Sequence, residues 1–202
     1  MANQKLPLSF YRETDVVALS RRLVGKVLCT QTGNAPVTSG LITETEAYSG
    51  CNDKASHAYG GRRTQRTKTM YEAGGIAYVY LCYGIHHLFN VVTNIQNKAD
   101  AVLIRAIQPL EGKDMMLQRR NRQKIIPSLT AGPGRLSQAL NISTGLDGVN
   151  LTGDTIWIED RGLFLPDHDI ESTVRIGIDY AGSDAQLPWR YYLRESRWVS
   201  AK

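Results

Sequence analysis

The sequence is poor in cysteine and histidine, and neither residue type is spaced to build a metal site or a disulfide framework. Its three cysteines, Cys29, Cys51 and Cys82, are odd in number and form no CxxC pair. The four histidines form no HExxH or other paired-ligand pattern. A disulfide-stabilised secreted domain and a zinc protein are therefore not expected, whereas a chain kept in a reducing cytosol is. We expect neither a metal ion nor another cofactor.

Long hydrophobic runs are also missing. No apolar stretch approaches the roughly 20 residues that span a bilayer, and residues 1–10 lack the core of a signal peptide. The 202 residues contain no internal repeat, no low-complexity linker and no break in composition. These absences predict a soluble, cytoplasmic protein that makes no contact with a membrane and folds as one domain over residues 1–202.

Acidic residues are outnumbered, since 24 Lys and Arg stand against 19 Asp and Glu, which gives a formal net charge of +5. The basic residues concentrate in residues 61–68, 118–124 and 190–197. The first of these segments supplies four basic side chains: Arg62, Arg63, Arg66 and Lys68. Basic clusters beside aromatic residues favour a polyanionic partner, and we expect these four side chains to contact phosphate groups.

Hydrophobic periodicity and turn residues predict an α+β domain with a mostly antiparallel sheet. Two β-prone runs around Tyr83 and Gly84 predict a hairpin over residues 77–94. Helices are predicted at residues 14–25, 67–75, 111–122 and 132–142. Other strands are predicted at residues 26–33, 35–48, 100–110, 154–160, 174–182 and 190–199.

The strand predicted at residues 35–48 carries two neighbouring acids, Glu44 and Glu46. Side chains alternate along a strand, so Ile42, Glu44 and Glu46 are predicted to share one face, and Ala47 the other. Two like charges on one face repel, and glutamate is a poor strand residue. Either that face is exposed to water, or at least one of the acids has a chemical role.

Two polar residues interrupt other apolar strands. Arg105 lies within the run "AVLIRAI", where a guanidinium requires a carboxylate or phosphate partner. A structural ion pair with Glu44 or Glu46 explains it as well as a functional role does. Asn90 lies within "LFNVV", and a core amide is most often bonded to the backbone.

The predicted hairpin is rich in tyrosine. Tyr78 and Tyr80 alternate along one strand, which is typical of cross-strand packing, and packing is the default for Tyr78. Tyr83 is different because it stands at the turn, where there is little core to pack against. An exposed aromatic residue on a hairpin tip is suited to insertion between stacked bases.

These segments together resemble one family. The stretches that carry the resemblance are "ITETEAYSG", "SHAYGGRRTQR", "YVYLCYGIHHLFNVV", "VLIRAIQPLEG", "LTAGPGRLSQAL" and "YYLRESRWVS". In order and spacing they are similar to the alkyladenine (3-methyladenine) DNA glycosylases over nearly the whole chain, apart from residues 118–129. The resemblance implies one compact α+β domain with a curved, mostly antiparallel sheet, surrounding helices and a protruding β-hairpin that intercalates into DNA.

The resemblance also implies residue roles. Glu46 matches the catalytic general base and Arg105 the arginine that helps to hold the nucleophilic water, while Glu44 would support the structure. Tyr83 matches the residue that fills the gap left in the base stack. The residues that match the walls of the base pocket are Tyr48, His57 and Tyr80. Asn90 matches the residue that excludes the 2-amino group of guanine. A backbone carbonyl of "VRIGID" would complete the water site.

The implied activity is that of a monomeric, monofunctional DNA glycosylase of base excision repair. Such an enzyme flips a damaged purine of the 3-methyladenine, 7-methylguanine, hypoxanthine or ethenoadenine class from double-stranded DNA and hydrolyses its N-glycosidic bond. In a bacterium it would be associated with the nucleoid. No lysine falls on a matched site position, so strand cleavage through a Schiff base is not expected. Two other functions stay open from the residues alone, a non-catalytic nucleic-acid-binding module and a hydrolase of free nucleosides.

Overall fold

The computed structural model describes residues 4–201. Its α-helices are α1 (Leu8–Tyr11), α2 (Val16–Leu23), α3 (Lys113–Arg119) and α4 (Pro133–Ala139). Its strands are β1 (Gln4–Lys5), β2 (Val27–Thr30), β3 (Thr38–Tyr48), β4 (Ala77–Cys82), β5 (His86–Thr93), β6 (Asp100–Glu111), β7 (Ile156–Asp160), β8 (Ile170–Thr173) and β9 (Arg190–Leu193).

The strands of residues 4–201 form a single antiparallel sheet in the order β1-β7-β2-β3-β6-β5-β4. Strand β9 pairs with the far end of β3, and β8 pairs with β9. The two longest strands, β3 and β6, run together through the middle of the sheet, and their register shifts on both sides of Glu44. Such bulges increase the local twist and bend the strand, and the curled sheet with helices against it confirms the predicted α+β domain.

The main hydrophobic core lies between this sheet and the helices. Helix α2 begins after Asp15, whose carboxylate accepts the backbone N–H groups of Val17 and Ala18 at 3.0 and 2.9 Å. Its fully buried Leu19 and Leu23 belong to the same cluster as residues from six strands and helix α4. This packing supports one face of β3 and leaves the other face for polar side chains.

Two predictions about strands are wrong. Ile42 was predicted on the face of Glu44 and Glu46, but it lies in the main core together with Ala47, because the bulge beside Glu44 reverses the alternation. Residues 174–182 were predicted as a strand, but they form a loop followed by a 3-10 segment, and Gly177 adopts a positive φ of 74°. A strand that had not been predicted, β8, precedes that loop.

The predicted hairpin is present and extends away from the core. Strands β4 and β5 pair in register from Ala77–Val91 to Cys82–His86, and burial decreases toward the turn. Tyr83 and Gly84 have φ values of 51° and 72°, and the Ile85 N–H bonds the Cys82 carbonyl at 3.2 Å. Positive φ at both central residues defines a type I′ turn, for which asparagine and glycine are the usual residues. A tyrosine at this position is strained, which is a reason to suspect that it has a function.

Candidate active site

The two neighbouring acids of β3 lie at the point where the sheet divides. Glu44 and Glu46 are paired with β6 on one side and with Tyr192 and Arg190 of β9 on the other. Both glutamates are fully buried. The sequence left open the possibility that the two acids lie on a water-exposed face, and their burial excludes it. Because β3 is hydrogen-bonded along both edges here, the backbone of Glu46 has little freedom to move.

Arg105 lies between the two carboxylates. Its Nε donates to Glu44 Oε1 at 3.1 Å and its Nη1 donates to Glu46 Oε2 at 3.2 Å. Burial acts to lower the pKa of Arg105, but the nearby charges of Glu46 and Glu44 outweigh burial and raise it. The guanidinium thus holds both acids on one side of the strand. The sequence left open which acid it contacts, and it contacts both.

The carboxylate of Glu44 is held by donors from three residues. Within residues 4–201 it accepts four bonds: from Arg105 Nε, from Arg190 Nε at 2.7 Å, and from the Ser200 hydroxyl and N–H at 2.8 and 2.6 Å. An ionised carboxylate offers about four acceptor sites. Three of the four bonds reach Oε1 and the fourth, from the Ser200 N–H, reaches Oε2. The carboxylate is thereby tied to β6, β9 and Ser200, as expected of a structural residue.

The carboxylate of Glu46 has fewer donors. Within the described part of the chain it accepts three bonds: from Arg105, from the Tyr48 hydroxyl at 2.8 Å, and from the Ile176 backbone N–H at 2.7 Å. One acceptor site is left for another hydrogen-bond donor, such as a water molecule. Burial, and then the charge of Glu46, raise the pKa of Tyr48, so the phenol stays protonated and keeps donating.

A cavity of about 420 Å³ lies directly above this acid. The three groups that contact Glu46, namely Tyr48, Arg105 and Ile176, all line it, so the carboxylate lies immediately behind the cavity wall. The structure also brings every predicted pocket residue to this cavity: Tyr48, His57, Tyr80 and Asn90. The size is in the range of small-molecule sites.

One aromatic wall is built around His57. Its ring meets the ring of Tyr80 edge to face, with centroids 4.6 Å apart, and its Nδ1 lies 3.0 Å from the Tyr78 hydroxyl. Burial, and then the positive charges of Arg66 and Arg62, lower the pKa of His57 to about 4. The imidazole is therefore neutral at physiological pH. From the sequence, cross-strand packing alone explained Tyr78. In the structure its hydroxyl also holds the His57 ring in place.

The depressed pKa of His57 predicts a pH-dependent stability. A histidine of the unfolded chain titrates near ~6.5. Between that value and about 4 the unfolded chain binds a proton that the folded protein does not, so the free energy of unfolding should fall as the pH is lowered through this window. In the His57→Asn variant, which lacks the titrating ring, urea unfolding between pH 7 and pH 4 should show a shallower fall. Equal slopes in the two proteins would contradict the buried, neutral histidine.

Asn90 is held rigidly in the cavity wall. Its Nδ2 donates to the carbonyls of Tyr78 at 3.2 Å and of Leu88 at 3.4 Å. Only 5% of the residue is exposed. The backbone-bonded amide that the sequence suggested is therefore present, and it also lines the cavity. A side chain fixed in this way cannot turn aside from an incoming group.

Tyr83 lies at the mouth of the cavity and is 92% exposed. Two further apolar side chains of the hairpin, Leu81 and Ile85, are also exposed near it. Tyr180, in the 3-10 segment Asp179–Gln186, also lines the cavity, and its hydroxyl donates to the Ala55 carbonyl at 3.2 Å. The cavity is thus entered past a projecting aromatic tip.

The four predicted phosphate contacts are all exposed residues: Arg62, Arg63, Arg66 and Lys68. Arg66 lines the cavity, with its guanidinium 4.9 Å from the centre of the Tyr80 ring. Arg63 lies 4.0 Å from the centre of the Tyr71 ring and donates to Asn97 Oδ1 at 2.7 Å. The cluster therefore places positive charge on the same side of the molecule as the cavity mouth.

Sequence reasoning missed several residues of this site. It did not identify Ile176 as a donor to Glu46, nor Arg190 and Ser200 as partners of Glu44. Arg175 was also missed, although it interrupts the apolar run "VRIGI" as Arg105 interrupts "AVLIRAI". That shared pattern, an arginine within an apolar segment, was the available signal. A backbone carbonyl was expected from this segment, and the contact found is the Ile176 N–H.

Two features are lacking in residues 4–201. No three acidic, cysteine or histidine side chains gather as a group that could hold a metal ion. No helix in that range is long and apolar enough to cross a membrane.

Comparison with known proteins places this chain in a family. The sequence profile described as methylpurine-DNA glycosylase matches residues 9–197. A protein of Chlamydia felis is 50% identical over 189 residues, which cover 93% of this chain and 95% of the relative. Relatives from Desulfitobacterium hafniense and Clostridium perfringens are 41% and 40% identical, over 98% of this chain and the full length of each. All three are provisionally named 3-methyladenine DNA glycosylases. With this profile and these relatives spanning nearly its entire length, the chain belongs to the methylpurine-DNA glycosylase family.

Proposed function

We propose that this protein flips damaged purines out of double-stranded DNA and hydrolyses their N-glycosidic bonds with a water molecule activated by Glu46. The products are the free base and an abasic site. The substrates are purines of the 3-methyladenine, 7-methylguanine, hypoxanthine and ethenoadenine class. The family supports a glycosylase acting on DNA, and the geometry of the site supports the finer assignments.

The observation that carries the proposal is the difference between the two buried acids. All three groups that donate to Glu46 line the cavity, and its Oε1 accepts a single bond. Glu44 is bonded mainly by Arg190 and Ser200, which lie outside the cavity lining. A general base needs a free acceptor site for the proton that it removes. Glu46 therefore acts as the base, and Arg105 keeps its carboxylate oriented. Ile176, whose N–H already contacts Glu46, is the candidate for the carbonyl that also holds the water.

Base flipping explains the shape of the entrance. A base inside a duplex cannot reach a buried acid, so it must leave the stack first, at a cost of a few kcal/mol. Stacking between Tyr48 and the pair His57 and Tyr80 offsets that cost, at roughly 1–3 kcal/mol for each aromatic contact. Aromatic stacking tolerates different bases, which suits a pocket for several lesions. Tyr83, projecting beside the mouth, fills the space that the flipped base vacates.

The chemistry requires one ionised carboxylate. Cleavage of the glycosidic bond develops positive charge on the sugar, as in glycoside hydrolysis. Glu46 stabilises that charge and takes the proton of the attacking water. An alkylated, cationic purine leaves without an acid. His57, with a pKa of about 4, is a poor general acid near neutral pH for a neutral base such as hypoxanthine.

Water rather than an amine is the nucleophile. None of the residues between 4 and 201 that line the cavity is a lysine, so the site offers no side-chain amine to form a Schiff base with the sugar. The reaction stops at the abasic site, and the strand is left uncut.

The proposal is tested with duplexes that each carry one lesion. After incubation without and with EDTA, alkali should reveal abasic sites in the lesion strand, and omission of alkali should leave it intact. Binding without abasic sites would make the protein a non-catalytic module. Cleavage of free damaged nucleosides in place of duplexes would make it a nucleoside hydrolase. Loss of activity with EDTA would contradict a mechanism that uses no metal.

Asn90 is expected to exclude normal guanine. Two backbone carbonyls fix its amide, so the 2-amino group of guanine would clash with a side chain that cannot move. A smaller side chain removes the clash and with it the discrimination against guanine. The Asn90→Ser variant should release undamaged guanine faster relative to hypoxanthine, by about tenfold or more, since one excluded group is worth about 1–3 kcal/mol. The ratio of the two rates in a single preparation is insensitive to partial misfolding. An unchanged ratio would remove this role.

A further inference from the structure

Arg175 and Asp53 form a fully buried ion pair outside the cavity lining. Nη2 of Arg175 donates to Asp53 Oδ1 at 2.9 Å and its Nη1 contacts Oδ2, so the pair is bidentate. Both side chains have no exposed surface. A buried pair loses much hydration and is weak grounds for stability alone. Its surroundings indicate another reason for its presence.

Arg175 braces the back of the cavity wall. Its Nη1 also donates to the carbonyl of Ala47 at 2.8 Å, and Ala47 is the residue between Glu46 and Tyr48. The guanidinium carbon lies 4.8 Å from the centre of the Tyr48 ring. One side chain therefore contacts both the peptide that joins the acid to the pocket wall and the ring that forms the wall.

Asp53 organises the loop that leads to His57. Its carboxylate accepts the N–H groups of Ser49 at 3.3 Å and of Ala55 at 2.9 Å, in addition to both arginine nitrogens. Ala55 lines the cavity together with His57. The orientation of this loop is thereby tied to the same guanidinium as Tyr48.

The peptide that follows Arg175 reaches the acid itself. The Ile176 N–H donates to Glu46 Oε1 at 2.7 Å. Arg175 is anchored on three sides, since its Nη2 also donates to the Asp184 carbonyl at 3.1 Å. A residue anchored in this way determines where the next N–H group points.

We propose that Arg175, clamped by Asp53, is a positioning residue for catalysis. It holds the Ile176 N–H on Glu46 and fixes Tyr48 and the His57 loop around the flipped base. This role rests on the proposed function, in which Glu46 is the base. Arginine is required because its planar fork bonds the carboxylate and two carbonyls at once, which a lysine ammonium cannot reproduce.

The test uses the full chain with Arg175→Lys, which keeps the charge and loses the fork. Single-turnover excision should fall by about 10²-fold, since small misplacements of reacting groups have effects of this order. The dissociation constant for a lesion duplex should change by less than about threefold. A rate that falls while the dissociation constant stays level marks reacting groups that are misplaced in the transition state.

The arginines that pair with the two acids, Arg105 and Arg190, are unchanged in this variant. Urea unfolding under the assay conditions gives the folded fraction, and the excision rate per folded molecule then separates misplaced groups from partial unfolding. A matched control is Arg161→Lys, which alters an arginine that follows β7 and pairs with Glu159 of β7 and Glu111 of β6. Its excision rate and dissociation constant should equal those of the wild type.

A charge-free variant separates positioning from ion-pair stability. Replacing both partners, in Asp53→Asn with Arg175→Met, removes the buried charges together and avoids an unpaired one. Its excision should stay slow even where unfolding shows a wild-type midpoint. Full activity in this double variant, or a wild-type excision rate in Arg175→Lys, would overturn the positioning role while an inactive Glu46→Gln variant left the proposed function standing. An active Glu46→Gln variant would overturn both.

Discussion

Replacement of Glu46 by glutamine should lower single-turnover excision by about 10²–10⁴-fold, the range that general bases contribute. Glutamine retains the shape of glutamate, but its single carbonyl oxygen can accept only the bonds at one of the two carboxylate positions, and it cannot take a proton from water near neutral pH. Arg105 keeps its bond to Glu44 in this variant, so the fold should persist. Binding to a lesion duplex, measured by titration under the same conditions, should stay within a few fold of the wild type.

The matched control is the neighbouring acid. Glu44→Gln removes the charge that pairs with both Arg105 and Arg190, and breaking a buried pair on one side typically costs about 3–5 kcal/mol. The expected result is a lower free energy of unfolding, with excision per folded molecule much closer to the wild type than in Glu46→Gln. If Glu46→Gln were nearly active and Glu44→Gln inactive, the two roles would have to be exchanged.

Removal of the ring of Tyr83 should weaken the capture of a lesion in duplex DNA by about tenfold or more, the effect of one lost aromatic–base stack. The substitution to use is Tyr83→Asn. Asparagine followed by glycine is the preferred pair for a type I′ turn, so this variant removes the strain at φ 51° while it keeps the hairpin. Any loss of activity then comes from the missing ring and not from a disordered turn.

A comparison of duplex and single-stranded substrates tests whether Tyr83 fills the gap in the base stack. An unpaired lesion leaves no such gap, so the rate on single-stranded DNA should change little in Tyr83→Asn. The free energy of unfolding should be equal to or higher than that of the wild type. Equal losses on duplex and single-stranded substrates would mean that Tyr83 contacts the lesion itself or supports the cavity.

Local patterns in the sequence were sufficient for the hairpin and for the shared face of the two acids. The turn at Tyr83 and Gly84 was marked by β-prone runs on both sides. Glu44 and Glu46 share a face because they are two residues apart. Ile42 was misplaced because a bulge changes the alternation, and a bulge has no signature in the apolar pattern of one strand.

The partners of the site could not be predicted because they are distant along the chain. Arg175 and Asp53 are 122 residues apart, and no local preference tells an arginine which carboxylate it will meet. Apolar and polar residues alternate in the run "VRIGID", as they do in a strand. In the structure its arginine pairs with Asp53, and Gly177 adopts a positive φ that ends the extended backbone. Tertiary contacts override strand propensity in such segments.

The bonds between Glu44 and Ser200 have a consequence for biosynthesis. The two residues are 156 positions apart, and at about 5–20 residues per second a ribosome needs about 8–30 s to add the intervening chain. During that interval β3 can already pair with β6, while Glu44 lacks its Ser200 and Arg190 donors. Closure of so long a loop also delays folding. The carboxylate of Glu44 is therefore among the last groups of the sheet to receive its full set of hydrogen bonds as the chain is made.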